Sequence, residues 1–227
     1  MNDIVKTQNS HPFGRRLCFI DDCNFNALAV NQLLDACHDD FTHIRLPVTD
    51  EQSFFSAKAY DAIVVNLRYS ISIQFNIIRS LVLHHTRGKH KGTVIIITDM
   101  SMNCIHVLLR LAGLPYGSGK NFYAIPSRLK PLQMKCTLQD IITGTSVLKP
   151  VTAHEFNLTP LRRASLMAMI EGVPERLQAR HQNCPIKSVY NHRYIVTQQL
   201  VGVSQHAFQC GAFKRIRSHH QDDMSVC

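Results

Sequence analysis

The 227-residue chain has no run of about 18 apolar residues, although 45% of its residues are hydrophobic. A helix that spans a membrane needs roughly 20 mostly apolar residues, so this absence predicts that the chain does not cross a membrane. The segment from Met1 to Arg16 is polar and has no apolar core of the kind that a secretory signal needs. We therefore expect a cytoplasmic protein with a short polar leader over residues 1–15.

The eight cysteines include no Cys-x-x-Cys pair. Disulfide frameworks concentrate in small secreted domains, and structural zinc sites need paired ligands at short spacing. Cys37-His38 and Cys104-x-His106 each place a thiol near an imidazole, but neither is accompanied by a second ligand pair. We expect reduced thiols, no metal site and no cofactor.

Acidic residues are scarce in the C-terminal part of the chain. Between Leu158 and Arg217 there are nine Lys and Arg residues against two acidic ones, a net charge of +7. The first 157 residues hold 16 basic and 12 acidic residues, a net charge of only +4. A compact basic segment is typical of proteins that bind nucleic-acid phosphates. An ordinary basic surface is the alternative interpretation of this charge pattern.

Strand-like and helix-like patterns alternate over the first 145 residues. The predicted strands lie at 16–20, 43–47, 61–65, 93–97 and 122–125. The predicted helices lie at 27–36, 51–59, 71–85 and 103–111, with a last one that begins at Thr137. The runs at 61–65 and 93–97 are rich in Val and Ile, which is typical of strands buried on both faces. The alternation predicts a five-stranded parallel sheet covered by helices, with any chemistry at the carboxyl ends of the strands.

The pattern changes after this region. Residues 145–157 mix Ser, Thr and Pro without periodicity and are interpreted as a linker. All later segments with a pattern are helical, at 160–170, 174–181, 185–200 and 204–215, and a polar tail follows at 218–227. Thr159 can cap the first of these helices, Pro160 suits its first position, and Gly172 can end it.

Three groups of residues in this helical region carry a family resemblance. They are Leu158-Thr159-Pro160, Glu171-Gly172 and Ser188-Val189-Tyr190-Asn191-His192-Arg193. With their spacings, they resemble the LuxR/FixJ (NarL)-type helix-turn-helix domain over residues 158–217. The resemblance implies that the helix at 185–200 enters the major groove of double-stranded DNA. The residues then expected to face DNA are Lys187, Ser188, Tyr190, Asn191, His192 and Arg193, with Arg193 reaching a phosphate.

Three positions depart from the family pattern, the first of them Ala164, which replaces a usual Glu. Gln178-Ala179 stands where the family commonly has Ile-Ala, and Gln182 stands where a core Leu is expected. These departures predict that the supporting helix is under-packed or shifted by one residue. In the shifted arrangement Leu177 would take the buried position.

The N-terminal region also carries a resemblance. Phe19-Ile20-Asp21-Asp22, the run from Asp61 to Leu67, and Thr98 at the end of an apolar run are similar to parts of a response-regulator receiver domain. The resemblance implies a receiver-like, flavodoxin-like α/β domain over 16–144, followed by an all-α helix-turn-helix domain. Asp21, Asp22, Asn66 and Thr98 would then form a degenerate phosphoacceptor pocket.

Two residues of a working receiver are replaced in this pocket. Asn66 stands where the phosphoacceptor Asp is expected, and Ser127 and Arg128 follow Pro126 where a Lys is expected. Phosphoryl transfer needs a carboxylate nucleophile, and a neutral amide oxygen is a poor one. The sequence therefore predicts no control by phosphorylation, and it leaves open whether Asp21 and Asp22 bind a cation.

These features favour a sequence-specific DNA-binding transcriptional regulator that is not an enzyme. Such a regulator would act as a homodimer or as a heterodimer with a related regulator. The alternative is an interaction protein that sequesters a partner regulator without reading DNA itself.

Overall fold

A computed structural model of the chain describes residues 15–34, 40–46, 60–68, 70–88, 91–151 and 158–200. Within these ranges, five strands and four helices form an α/β domain over 16–143, and three further helices follow over 160–200. The helices predicted at 51–59 and 204–215, the leader up to residue 14 and the tail at 218–227 lie outside the described residues.

The sheet has five parallel strands in the order β2-β1-β3-β4-β5. The strands are β1 (Arg16–Asp21), β2 (Asp40–Arg45), β3 (Ala62–Leu67), β4 (Thr93–Thr98) and β5 (Phe122–Pro126). This is the strand order of flavodoxin-like folds, and it confirms the predicted receiver-like sheet. The order brings the carboxyl ends of β1, β3 and β4 side by side.

Seven helices are described. They are α1 (Asn24–Leu33), α2 (Ile71–Thr86), α3 (Met102–Leu111), α4 (Pro131–Thr143), α5 (Pro160–Ile170), α6 (Glu175–His181) and α7 (Ile186–Leu200). None of them is long and apolar enough to cross a membrane. As predicted, Thr159 caps α5 by accepting a hydrogen bond from the Arg162 amide, and Gly172 follows the end of this helix at φ 70°.

Helix α4 begins at Pro131 and not at Thr137 as the sequence predicted. Proline suits the first helical position because its missing amide hydrogen has no helical partner there. The amide of Lys130 donates to Gln133 Oε1 at 3.4 Å and reinforces this start. The pattern between residues 131 and 136 is weak because the buried residues of α4, Leu138 and Ile141, lie in its second half.

Alternate residues of the central strands pack on opposite faces of the sheet. On one face, Phe19 and Val64 join a core that α1 and α4 cover. On the other face, Ile20 and Val65 join a core with α2 and α3. Both faces are covered, which explains why β3 and β4 read as continuous apolar runs in the sequence.

The core under α2 and α3 continues into the C-terminal helices, where it includes Leu166 and Met169 of α5 and Val196 and Leu200 of α7. Val151 is fully buried in this core although it lies in the predicted linker. The Ser101 hydroxyl, at the start of α3, donates to the carbonyl oxygen of Leu200 at the end of α7. The α/β domain and the C-terminal helices therefore share one packed interface.

Gly92 provides a test of the close approach between β3 and β4. A Cβ atom at Gly92 would lie 2.3 Å from the Asp61 carbonyl oxygen and 2.7 Å from the Tyr60 carbonyl oxygen, which are backbone atoms that cannot rotate away. Gly92→Ala should lower the free energy of unfolding by about 1–3 kcal/mol or more, measured by urea denaturation. Gly88→Ala is the matched control, because its Cβ would meet nothing within 4 Å and only its φ of +68° is unfavourable. Equal losses in the two variants would contradict the proposed clash.

Candidate functional site

Helix α7 has a buried face and an exposed face. Val189, Val196 and Leu200 are each at most 1% exposed. Val196 and Leu200 belong to the core that includes residues of α5 and of the α/β domain. A helix turns about 100° per residue, so the opposite face carries Lys187, Asn191 and the residues beside them. The exposed face contains no acidic residue, because α7 has none. Its side chains can donate and accept hydrogen bonds beside a basic group.

The six residues predicted to face DNA divide into three groups. Lys187, Tyr190 and Asn191 are exposed and lie together on the outer face of α7. Ser188 and His192 are half-buried along one edge of that face. The sixth residue, Arg193, lies on the opposite side of the helix and is considered separately.

Arg193 is only 1% exposed, so the prediction that it reaches a DNA phosphate is wrong for this structure. Its Nε donates to Gln178 Oε1 at 2.8 Å, its Nη1 to Glu175 Oε1 at 2.8 Å and its Nη2 to the Val173 carbonyl oxygen at 2.5 Å. Arg193 falls four residues after Val189 and three before Val196, within the buried face of α7. Burial lowers the pKa of Arg193, and Glu175 opposes this effect. An arginine pKa is high enough that the side chain stays charged.

Gln178 explains the departure of α6 from the family pattern. It is 2% exposed, whereas Leu177 is 42% exposed, so the predicted shift that buries Leu177 is wrong. The Gln178 Nε2 group donates to Ser165 Oγ at 2.9 Å and to Gln182 Oε1 at 3.3 Å. Gln178 therefore keeps the buried position, and hydrogen bonds replace the apolar contact that an isoleucine would make.

The sequence interpretation missed Tyr194. This residue is 62% exposed and lies four residues after Tyr190 and three after Asn191, so the three share one face of α7. The helical spacing was visible in the sequence. The adjacent residue, Arg193, was predicted to contact DNA instead because it is positively charged.

A second candidate site lies at the carboxyl ends of the strands. Asp21 and Thr98 end β1 and β4, and Asn66 is the last but one residue of β3. Each of the three is less than 5% exposed. Asn66 Nδ2 donates to Asp21 Oδ2 at 2.9 Å, so the structure brings these two predicted residues into contact. Thr98 Oγ1 accepts a hydrogen bond from the Met100 amide at 3.1 Å, and the Asp22 side chain is exposed.

The Asp21 carboxylate has four hydrogen-bond donors. Besides Asn66, the Asn26 side chain donates to Oδ2 at 2.8 Å. The backbone amides of Asp22 and Cys23 donate to Oδ1 at 2.7 and 3.3 Å. Although burial raises the pKa of Asp21, the hydrogen bonds from Asn66, Asn26 and Cys23 outweigh it and lower this pKa. A carboxylate has about four lone-pair positions, so a cation on Asp21 would have to displace one of these donors.

The residues after β5, which replace the expected lysine, are bonded to Asp99. The Ser127 hydroxyl donates to Asp99 Oδ1, and Arg128 Nη2 lies 3.5 Å from Asp99 Oδ2. Arg68 Nη2 donates to the Ser127 carbonyl oxygen at 3.5 Å. These contacts link the ends of β3, β4 and β5 to one another.

No protein-family model and no curated protein matches the sequence. Solved structures do match the fold. A structure of two RcsB dimers bound to two parallel DNAs has a TM-score of 0.51 at 11% identity, over 88% of this chain and 98% of that chain. RcsB is a two-component response regulator.

The chain has the fold of a response regulator. A second RcsB–DNA complex matches at 13% identity and a TM-score of 0.45, over 85% of this chain and 94% of that one. Full-length FixJ from B. japonicum matches at 16% identity and a TM-score of 0.37, over 88% of this chain and 98% of that one. The fold match to the first RcsB structure agrees with the response-regulator architecture that the sequence motifs indicate.

The contact between Asp21 and Asn66 predicts opposite pH dependences for the wild type and Asn66→Asp. The lowered pKa means that charged Asp21 stabilises the wild-type fold above about pH 4, and this contribution is lost as the pH falls through the lowered pKa. In Asn66→Asp, two facing carboxyl groups would raise the pKa of one of them, so folding takes up a proton. The variant should be less stable than the wild type by about 1–3 kcal/mol at pH 7 and should recover stability toward pH 5.

Urea denaturation at pH 7, 5 and 3 measures both curves. Asn76→Asp is the matched control, because it adds the same charge at an exposed position on α2. This control should follow the wild-type pH dependence. An Asn66→Asp curve parallel to that of the control would contradict the contact with Asp21.

Proposed function

We propose that the chain is a sequence-specific DNA-binding transcriptional regulator that is not switched by its own phosphorylation and has no catalytic role. In this proposal α6 and α7 form a helix-turn-helix unit and α7 enters the major groove. The observation that carries the proposal is the exposed face of α7. Its polar and aromatic side chains point away from the core that α7 shares with α5 and the α/β domain.

The chemistry of this face suits DNA. The major groove admits one α-helix, and its base edges offer acceptors to lysine and a paired donor and acceptor to asparagine. Lys187 and Asn191 provide these two kinds of group, and Tyr190 and Tyr194 can donate to phosphates or contact thymine methyl groups. Further basic residues of α5 and α6 can neutralise the neighbouring backbone. They are Arg162, Arg163, Arg176 and Arg180.

The packing supports binding without a switching step. Leu200 and Val196 lie in the core shared with the α/β domain, on the face that DNA would not touch, and the Leu200 carbonyl oxygen accepts a hydrogen bond from Ser101. Lys187 and Asn191 remain exposed in the same arrangement. No separation of the two parts is therefore needed to free the proposed recognition face.

The degenerate phosphoacceptor pocket supports independence from phosphorylation. An amide at Asn66 cannot form an acyl phosphate, and its Nδ2 group is bonded to Asp21. Ser127 and Arg128 contact Asp99 where the family has a lysine to neutralise the phosphoryl group.

RcsB binds DNA as dimers in the similar structure. We propose that this chain also acts as a dimer, with itself or with a related regulator, on half-sites about one helical turn apart.

DNA binding should depend on α7 in two distinguishable ways. Asn191→Ala should weaken binding to a selected DNA site by about 1–3 kcal/mol and relax the preference at one base pair. Lys187→Ala should reduce the slope of log K against log salt by about one if Lys187 contacts a phosphate. Fluorescence anisotropy on duplexes selected from a random library measures both effects.

Lys120→Ala is the matched control, because Lys120 is exposed in the α/β domain, and it should leave affinity and slope unchanged. The proposal would be contradicted if substitutions on α7 left regulation intact while substitutions on the surface of the α/β domain abolished it. That result would favour the alternative, in which the chain sequesters a partner regulator.

Phosphodonors should have no effect on this protein. Incubation with acetyl phosphate and Mg²⁺ should leave the intact mass and the DNA affinity of the wild type unchanged, because Asn66 offers no carboxylate nucleophile. Mass spectrometry and anisotropy are the measurements. A stable phosphoryl group at or next to Asn66, or a phosphodonor-dependent affinity, would refute the proposed mode of control.

A further inference from the structure

Five side chains form a buried polar cluster among the three C-terminal helices. They are Ser165 of α5, Glu175, Gln178 and Gln182 of or next to α6, and Arg193 of α7. We call this set the Arg193 cluster. Ser165, Gln178 and Arg193 are each at most 2% exposed. A buried charge of this kind is tolerated only when it is paired and hydrogen-bonded.

The three acceptors of Arg193 lie on one stretch of the chain. Two are side chains of α6, and the third is the carbonyl oxygen of Val173, just before α6. The Val173 amide in turn donates to the Ala168 carbonyl oxygen of α5 at 2.8 Å. Val173 is thus tied to α5 through its amide and to α7 through its carbonyl group.

The shape of a guanidinium group makes these contacts directional. Its donors form a rigid planar fork, and each must meet an acceptor at a fixed angle. Apolar packing has no such angular requirement. The fork therefore restricts both the rotation of α7 about its axis and its approach to α6.

We infer that Arg193 is a positioning residue for DNA recognition, an inference that rests on the proposed DNA-binding function. Through the Arg193 cluster it fixes α7 on α6 so that Lys187, Asn191 and Tyr194 face the duplex, while Arg193 itself does not touch DNA. Its charge is matched internally by Glu175, 2.8 Å away, and does not add to the basic surface. This role also accounts for Gln178, whose amide accepts from Arg193 and donates to Ser165.

The test compares Arg193→Met with Lys187→Met in the full-length protein. The probes are a duplex selected from a random library and a scrambled duplex of equal length. Arg193→Met should lower the affinity for the selected duplex by about tenfold or more at an unchanged salt slope, so that the ratio of selected to scrambled binding falls. Lys187→Met should reduce the slope by about one. A slope reduced by about one in Arg193→Met would overturn the inference and make Arg193 a phosphate contact.

A double variant separates positioning from simple stability. Glu175→Leu with Arg193→Leu removes both members of the ion pair that neutralises the buried charge, and such apolar replacements often restore stability. The double variant should therefore unfold near the wild-type temperature but keep the reduced ratio of selected to scrambled binding. Recovery of both properties would overturn the inference and leave Arg193 with a purely structural role. Arg193→Lys, which keeps the charge but not the fork, should also fail to restore the ratio.

Hydrogen exchange tests the positioning of α7 independently of DNA binding. If the wild type enriches no duplex from the library, the proposed DNA-binding function fails. The positioning of α7 is then read from the backbone amides of α6 and α7 in the double variant. Faster exchange there than in the wild type supports the fixing of α7 by the Arg193 cluster, and unchanged exchange overturns it.

Discussion

The apolar core on one face of the sheet is the feature on which the remaining arrangement depends. It begins at Ile20 and Val65 of the central strands, passes under α2 and α3, and ends at Val196 and Leu200 of α7. Apolar burial contributes roughly 25 cal/mol per Å², and each of these residues is at most 1% exposed. The C-terminal helices are therefore part of the main core, and the outer face of α7 is what this packing leaves exposed.

Buried polar residues at two places in this structure are stabilised by hydrogen bonds to their neighbours. At the carboxyl ends of the strands, an amide at Asn66 donates to Asp21, where a carboxylate would repel it. Among the C-terminal helices, Gln178 and Arg193 bond to each other at buried positions. In each place the polar group is matched by a partner distant in sequence. A polar residue at a core position can thus indicate a buried hydrogen-bonding partner and need not indicate a poorly packed core.

Sequence reasoning reached the sheet because Val and Ile runs mark strands buried on both faces, and it placed Asp21 with Asn66 through the resemblance to a receiver domain. It placed Arg193 on the wrong side of α7. The positive charge of this residue suggests a phosphate contact, whereas its spacing from Val189 and Val196 places it on the buried face. Gln178 was misjudged for a different reason, because Arg193, the partner that lets it stay buried, lies 15 residues away. Polar networks of this kind depend on three-dimensional proximity that local patterns do not encode.

The Ser101 hydroxyl joins two helix ends. It accepts the Cys104 amide at 3.2 Å as the cap of α3 and donates to the last carbonyl group of α7. The amino end of a helix carries a partial positive charge and the carboxyl end a partial negative one. The two macrodipoles thus meet head to tail across the boundary between the α/β domain and the C-terminal helices. Charge attraction and a shared hydroxyl act there together, so a change in charge near residue 101 should alter the contact with the last turn of α7.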